Sequence, residues 1–231
     1  MTFNKELITQ IRKSLIVSCQ APSDSPLHDP QAIAAMAQAA VLGGASAVRI
    51  DTPSHVSAVR RRVEAPIIGL WKQQIPGYEV YITPQFEHAA AIASAGADII
   101  AIDATLRDRP GNETLDTLIA RIHNELGKLV MADADTIEGA IAATKAGADI
   151  VGTTLYGYTD ATKHLSPPGF ELLSQMVEKL TVPIICEGGI ASPQMAKKAL
   201  QLGAFAVVVG TDITGIDLKV QAYQAILKAE G

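Results

Sequence analysis

Short runs of almost uninterrupted apolar residues alternate along this chain with longer, alanine-rich segments. Runs that are apolar nearly throughout are typical of parallel strands covered on both faces. They predict eight strands, at 15–19, 46–50, 66–71, 98–103, 128–132, 149–154, 182–187 and 204–209. The alanine-rich segments between them are typical of helices. They predict helices at 31–42, 86–95, 113–126, 136–146, 169–180 and 193–202.

A Gly-Ala dipeptide precedes four of the predicted strands. The copies begin at Gly44, Gly96, Gly147 and Gly203, at intervals of 52, 51 and 56 residues. A repeat of that length is about two βα units and indicates a solenoid or a closed ring. Four double units supply the eight strands of a barrel of about 250 residues. We therefore predict an α/β fold, a (β/α)8 TIM barrel forming a single domain over residues 1–231. A doubly wound sheet is the alternative, although it rarely repeats so evenly.

Two segments outside the repeat predict further elements. Phe3, Leu7, Ile8 and Ile11 recur at helical spacing, so we expect a short helix that plugs the lower mouth of the barrel. Residues 79–83 resemble a strand between strands 3 and 4. We interpret them as an excursion on the active-site side or as a slightly extended strand.

Charge and hydropathy limit the partners. The 231 residues carry a formal net charge of -5, which argues against nucleic acid or an anionic membrane as the main partner. An anionic ligand would therefore need a local positive site. No apolar run approaches transmembrane length and no signal-peptide core is present, so we expect a cytoplasmic protein. A homodimer is one assembly that the sequence allows.

Cysteine and histidine usage predicts neither a metal site nor a cofactor. Two cysteines cannot form a disulfide framework, and no Cys/His cluster has zinc spacing. Cys19 and Cys186 lie at strand ends, where we expect buried, inert thiols. Four histidines fall in helices or linking loops and are predicted to lie at the surface: His28, His55, His88 and His123.

Polar residues follow most predicted strands at their C-terminal ends, where barrel enzymes carry their catalytic groups. They are Gln20, Arg49, Asp51, Lys72, Asp103, Asp133, Thr153, Thr154, Glu187, Gly210 and Thr211. One interpretation is a reactive cavity with these side chains around its mouth. The alternative is an ion-pair network that only satisfies the rim.

Lys72 and Glu187 follow strands 3 and 7, which lie across an eight-stranded barrel from each other. The two side chains can therefore flank one substrate, and we predict them as the catalytic pair. One would take a proton from one face while the other returns a proton to the opposite face. A lysine accepts a proton only when neutral, and burial beside a cation such as Arg49 favours that form. Arg49 is also predicted to hold a developing oxyanion.

Glycine-bearing loops follow strands 7 and 8, as Gly188-Gly189 and Gly210-Thr211. Such loops are the usual phosphate cradle of this fold, because their backbone N–H groups lie at helix N-termini. We predict that these four residues, together with Thr153, bind the substrate. Glycines that serve only tight turns are an equally good explanation of the same pattern.

Several of these runs match one family in order along nearly the whole chain. They are LIVSCQ from 15, AVRI from 47, PIIGLWK from 66, ADIIAIDAT from 97, GTTLYGYT from 152 and ICEG from 185. Together they resemble the N-acylmannosamine-6-phosphate 2-epimerases, and the GTTLxGYT run is quite specific.

The resemblance implies a cofactor-free barrel that interconverts N-acetylmannosamine 6-phosphate and N-acetylglucosamine 6-phosphate. The context would be sialic acid and amino-sugar catabolism, and the partner a small amino-sugar phosphate. Lys72 matches the family's essential proton-transferring lysine and Glu187 its catalytic glutamate. Gln20, Arg49 and Asp133 match substrate-contacting positions.

The chain departs from the family pattern in both glycine loops. Gly189 stands where the family usually has a basic residue, and Gly215 where it usually has an arginine. Asp212 adds a carboxylate, and at ~5 Å and an effective dielectric of about 20 two like charges repel by roughly 3 kcal/mol. Either Asp212 points away, or phosphate is bound differently, or the natural sugar is altered.

Two other functions use the same residues. Lys72 could serve as the Schiff-base nucleophile of a class I aldolase. A catalytically inactive barrel could merely bind a sugar phosphate, which the departures at Asp212 and Gly215 favour. The retained Lys72 and Glu187 argue against that second alternative, and epimerisation remains the first prediction.

Overall fold

The computed structural model describes residues 2–229. Eight parallel strands close into a barrel in chain order, and the last strand pairs with the first. The strands are β1 (Leu15–Cys19), β2 (Ala47–Asp51), β3 (Ile67–Leu70), β4 (Ile99–Asp103), β5 (Leu129–Asp133), β6 (Ile150–Gly152), β7 (Ile184–Cys186) and β8 (Ala206–Val209). The predicted (β/α)8 barrel is confirmed, and the doubly wound alternative is excluded by the closed ring.

Helices surround this barrel and flank its ends. They are α1 (Thr2–Gln10), α2 (Pro30–Leu42), α3 (Pro53–Arg60), α4 (Phe86–Ser94), α5 (Leu115–Arg121), α6 (Ile137–Lys145), α7 (Phe170–Lys179), α8 (Pro193–Gln201), α9 (Thr211–Thr214) and α10 (Ile216–Ala229). A 3-10 turn at Pro110–Asn112 precedes α5, and a π-helical turn at Ile122–Leu126 follows it.

The Gly-Ala repeat ends helices and starts strands. All four repeat glycines have φ between +101° and +107°, which a residue with a Cβ rarely adopts. In each copy the alanine N–H donates to a carbonyl five residues earlier, as from Ala45 to Ala40 at 3.0 Å. This bond ties off the helix end. The alanines are buried, so each one directs the chain into the next strand.

Two apolar layers hold the barrel together. One fills its interior with side chains from alternate strand positions, such as Ile16, Ile68 and Ile185. The other lies between the strands and the outer helices. Leu7 and Ile11 pack into the interior layer from below, which confirms the predicted plug at the bottom of the barrel. The side chain of Phe3 lies outside the described residues.

Three helices were not predicted: α3, α9 and α10. The sequence of α3 is not alanine-rich, and it packs against α2 and β3. The helix α10 contacts mainly the short helix α9, and most of its apolar side chains are exposed. Residues 79–83 form an excursion on the active-site side. There Ile82 makes an isolated antiparallel bridge with Lys72.

Substitution of Gly69 would test how tightly β3, the strand that leads to Lys72, is packed. A Cβ there would lie 2.5 Å from Cγ2 of Ile92 and 2.6 Å from Cβ of Ala97. Gly69→Ala should therefore destabilise the protein by about 1–3 kcal/mol through overpacking, measured as a lower thermal midpoint by circular dichroism. Gly43→Ala is the matched control, because Ala95 and Ala146 occupy the equivalent helix-end position in other repeats. Equal midpoints for the two variants would contradict this account.

Candidate active site

A cavity of about 1000 Å³ opens at the C-terminal ends of the strands. Eight of the ten predicted site residues line it: Gln20, Arg49, Lys72, Glu187, Gly188, Gly189, Gly210 and Thr211. Asp133 and Thr153 are fully buried behind the wall. The structure therefore brings the predicted set together but gives those two no direct access to a molecule in the cavity.

Arg49 lies at the centre of a buried charge cluster and is 1% exposed. Its Nη1 and Nη2 donate to the two carboxylate oxygens of Asp133 at 3.1 and 2.6 Å. Nη1 also lies 3.1 Å from Oε2 of Glu187. Burial opposes the charge of Arg49, but Asp133 and then Glu187 outweigh it and raise the pKa of Arg49. Because its terminal nitrogens already bind two carboxylates, this geometry does not favour the predicted oxyanion-holding role.

Glu187 can change its protonation state near neutral pH. Burial, and to a smaller extent the nearby Asp133, raise the pKa of Glu187 to about 7 against opposing contributions from Arg49, Thr154 and Lys72. The single guanidinium of Arg49 contacts two carboxylates, so the three side chains together carry one excess negative charge when Asp133 and Glu187 are both ionised. Asp133 makes the bidentate pair with Arg49 and stays ionised. Glu187 is therefore the carboxylate that takes up a proton more easily.

Two adjacent threonines support Glu187 in different ways. The hydroxyl of Thr153 donates to the backbone carbonyl of Glu187 at 2.8 Å and accepts from its N–H at 3.1 Å, which fixes the backbone. The hydroxyl of Thr154 lies 2.7 Å from Oδ1 of Asp133 and 3.2 Å from Oε2 of Glu187. Thr154 thus bridges the two carboxylates. It also lines the cavity, as expected from its place at the end of strand 6, although it was not among the residues predicted to bind the substrate.

Side-chain alternation explains why Thr154 and not Thr153 faces inward. Ile150 and Ile185 belong to the interior layer, whereas Val151 belongs to the outer layer. Successive strand residues point to opposite faces, so Thr154 continues the interior series and Thr153 the outer one. Counting every second residue from the interior apolar residues was the signal that could have shown that Thr154, and not Thr153, faces the cavity.

Lys72 lies beyond the end of β3 and is exposed. The burial that we expected for a neutral lysine is therefore absent, and that expectation is wrong. Its Nζ donates to Oε1 of Gln20 at 2.6 Å, and its backbone N–H donates to Oδ1 of Asp51 at 3.0 Å. Gln20 is held in turn by a bond from its Nε2 to Oγ of Ser18 at 3.0 Å. The charge of Lys72 acts on Glu187 across the cavity.

The glycine loops offer backbone donors. Gly188 and Gly189 both have positive φ, of 97° and 68°. Within the described part of the chain, neither N–H donates to a protein acceptor. Gly210 precedes the short helix α9, whose Thr214 hydroxyl donates to the carbonyl of Ser18 at 2.8 Å and so ties this helix to the end of β1.

The two cysteines are buried, as expected, whereas two of the four histidines expected at the surface are also buried. Burial raises the pKa of Cys19 to about 12 and that of Cys186 to about 11, so both are protonated thiols at neutral pH. His55 and His88 are buried, 3% and 7% exposed, and the prediction that they lie at the surface is wrong. Both belong to helices that pack on strands, a contact that their local sequence does not reveal.

Residues 2–229 contain neither a candidate metal site nor a candidate membrane span. That range contains no group of three or more His, Cys, Asp or Glu side chains arranged to hold a metal ion. Nor does any of its helices combine the length and apolar character that crossing a bilayer requires.

Comparison with known proteins places the chain in a family. A family model described as "Putative N-acetylmannosamine-6-phosphate epimerase" matches residues 33–229. The chain belongs to this family. A relative of that name from Thermosynechococcus vestitus is 70% identical over 223 residues, covering 96% of this chain and 97% of the relative. One from Synechococcus elongatus is 60% identical over 227 residues, covering 97% and 98%.

Solved structures agree with this family and with the fold. The N-acetylmannosamine-6-phosphate 2-epimerase from Clostridium perfringens is 40% identical, with a TM-score of 0.92 over 95% of this chain and 96% of that chain. A thiamine phosphate pyrophosphorylase from Pyrococcus furiosus is 17% identical, with a TM-score of 0.59 over 90% of each chain. The second similarity shows the barrel alone.

Replacing Thr154 should move the titration of Glu187. The Thr154 hydroxyl stabilises the ionised carboxylate, so Thr154→Val should raise the pKa of Glu187 above about 7. Carbon-13 NMR of the side-chain carboxyls would follow this titration, with Glu187→Gln identifying the signal. Thr154→Ser keeps the hydroxyl and should leave the titration near its original pH. A midpoint that is unchanged or lower in Thr154→Val would refute the bridge.

Proposed function

We propose that the protein interconverts N-acetylmannosamine 6-phosphate and N-acetylglucosamine 6-phosphate by moving the proton on C2. The observation that carries this proposal is the pair of Lys72 and Glu187, an amine and a carboxyl group that face one cavity from β3 and β7. Membership of the family supports the same substrate class.

The chemistry follows from the acidity of C2. Once the sugar ring opens, C2 lies next to an aldehyde, and removal of its proton leaves an enolate. Return of a proton to the opposite face inverts the carbon. Two proton-transferring groups on opposite sides of the sugar can do this with no change in oxidation state. We therefore propose that the reaction needs no cofactor.

Each proposed catalytic group has its own support. Gln20 orients the Lys72 ammonium by a direct hydrogen bond. Arg49 and Thr154 hold one oxygen of Glu187, whose pKa of about 7 allows it to give or take a proton at neutral pH. We propose that Asp133 and Thr153 act through these groups and do not touch the sugar. Gly188, Gly189, Gly210 and Thr211 are proposed to bind its phosphorylated end.

The remaining expectations stay proposals. We propose a single domain over residues 1–231, because the eight strands of the described part form one continuous ring. A cytoplasmic location and a role in amino-sugar catabolism fit a substrate that carries a phosphate. The homodimer is supported by α10, which exposes a row of apolar side chains: Ile216, Leu218, Val220, Tyr223, Ile226 and Leu227. Contiguous apolar patches on monomers are usually small.

Variants of the catalytic pair should separate the two proton transfers. Lys72→Ala should abolish epimerisation and exchange for the epimer whose C2 proton faces Lys72, because the proton-transferring group on that face is lost, but leave exchange for the epimer whose C2 proton faces Glu187. Glu187→Gln should abolish epimerisation but leave exchange for the epimer whose C2 proton faces Lys72. Proton NMR of both sugar phosphates in deuterium oxide measures both effects.

Lys197→Ala is the control for these variants, because Lys197 is an exposed lysine on α8 that does not line the cavity. Persistent epimerisation in Lys72→Ala would remove Lys72 from the mechanism. Loss of exchange with both epimers in Glu187→Gln would contradict two separate proton-transferring groups. Trapping of a substrate adduct on Lys72 by borohydride is the result that the aldolase alternative requires.

Introducing charged side chains on α10 would test whether this helix forms the dimer contact. The wild-type protein should have twice the chain mass by light scattering after size exclusion. Tyr223→Glu with Ile226→Glu should give the mass of one chain, because two carboxylates would be buried in the contact. Leu42→Glu, at an 82% exposed position on α2, should leave the mass unchanged. A single-chain mass for the wild-type protein would exclude the dimer.

A further inference from the structure

A phosphorylated substrate brings about two negative charges into a cavity that already contains carboxylates. Four acidic side chains line it: Asp51, Glu187, Asp212 and Asp217. The lysines and arginines among its lining residues are Arg49, Lys72 and Lys219. Because the protein as a whole is acidic, the substrate's anionic end depends on one of these three cations.

Two of the three are already engaged. Arg49 is buried and binds the carboxylates of Asp133 and Glu187. Lys72 is held by Gln20 at the β3 side of the cavity, where the proposed proton transfer takes place. An anion that recruited either group would disturb the proposed chemistry. Lys219 is the lining cation that neither arrangement uses.

Lys219 lies on α10, beside the loop after β8. Its ammonium makes an ion pair with the carboxylate of Asp212 on α9. The side chain is 41% exposed, so an incoming anion can reach it. A second contact fixes the start of α10 over the cavity, because Oγ of Ser25 donates to Oδ2 of Asp217 at 2.7 Å.

Gly189 and Gly215, in the loops after β7 and β8, have no room for a side chain. A Cβ at Gly189 would lie 2.5 Å from Cβ and 2.9 Å from the carbonyl carbon of Pro167. A Cβ at Gly215 would lie 2.8 Å from Cα and 2.9 Å from the carbonyl oxygen of Thr211. Contacts below 3.0 Å with backbone cannot be relieved by rotating a side chain. In this chain the positive charge must therefore come from another position.

We propose that Lys219 binds the phosphoryl group of the substrate and that Asp212 competes with that group for the same ammonium. This assignment rests on the proposed function and names a specificity-determining residue for it. In the free protein Asp212 neutralises Lys219, and in the complex the dianionic phosphoryl group displaces it as the stronger partner. The unpaired N–H groups of Gly188 and Gly189 supply uncharged donors in the same cavity.

The test compares phosphorylated and unphosphorylated N-acetylmannosamine in the full-length protein. Lys219→Met should raise KM for the 6-phosphate by about tenfold or more, the equivalent of one charge-assisted hydrogen bond. Its kcat, and its kcat/KM for the unphosphorylated sugar, should not change. Lys219→Arg should restore a KM close to that of the wild type. Lys197→Met, which removes the same charge outside the cavity, should have no effect.

Asp212→Asn supplies the second half of a double-mutant cycle. Asp212→Asn should lower KM for the 6-phosphate when Lys219 is present and have no such effect in a Lys219→Met background. If Asp212→Asn lowers KM equally in both backgrounds, the carboxylate acts by simple repulsion and the proposed competition is wrong. If Lys219→Met affects both sugars equally, or neither, the assignment of Lys219 is wrong.

Binding of inorganic phosphate, measured by calorimetry, separates this assignment from the proposed reaction. Wild-type protein should bind phosphate more tightly than Lys219→Met, whether or not the sugar turns over. Weaker phosphate binding in Lys219→Met together with no epimerisation would retain the anion site and refute the reaction. Equal phosphate binding with normal wild-type epimerisation would refute the anion site alone.

Discussion

The sharing of one buried guanidinium by two carboxylates is the constraint on which the site depends. Arg49 cannot neutralise both Asp133 and Glu187, and removing one partner of a buried ion pair typically costs about 3–5 kcal/mol. The geometry therefore fixes an unequal division. Asp133 takes both terminal nitrogens of Arg49 and is closed off from the cavity, while Glu187 has one shared contact and faces the open side. Burial raises the pKa of Glu187 to about 7, and the contact with Arg49 only partly offsets that rise.

The barrel makes this cluster possible because the register of its parallel strands brings strand ends that are distant in sequence to the same level along the barrel axis. Asp133 pairs with Gly152, and Gly152 pairs with Ile185, so Thr154 and Glu187 emerge beside Asp133. Gly152 leaves the space that the cluster fills. A Cβ there would lie 2.7 Å from Cε of Met131 and 2.9 Å from Oγ1 of Thr154. The geometry of this charge cluster is thus a property of the interior packing, and a closed ring is the simplest way to impose it.

Much of the fold could be predicted because the residues that end each helix and begin the next strand form a local sequence pattern. A glycine with positive φ and a buried alanine end a helix in the same way each time, so the repeat is visible without any tertiary information. The helices α3 and α10 could not be predicted in this way, because their positions depend on contacts with α2 and α9. The positions of the predicted strand ends also indicated which residues meet at the cavity. The burial of His55, the exposure of Lys72 and the inward direction of Thr154 are properties of the assembled ring.

The proposed anion site shows how steric limits in the glycine loops can move a required charge to another position in the chain. Electrostatic attraction depends on distance and dielectric, not on the chain position that supplies the charge. Once Pro167 fills the space beside Gly189 and Thr211 closes the space beside Gly215, a cation at either position is excluded sterically. The start of α10 lies over the same cavity, and Lys219 reaches it from there. Asp212 then has a reason to be present: without a counter-charge, an unpaired ammonium over the cavity would attract any anion, whereas the ion pair yields only to a stronger one.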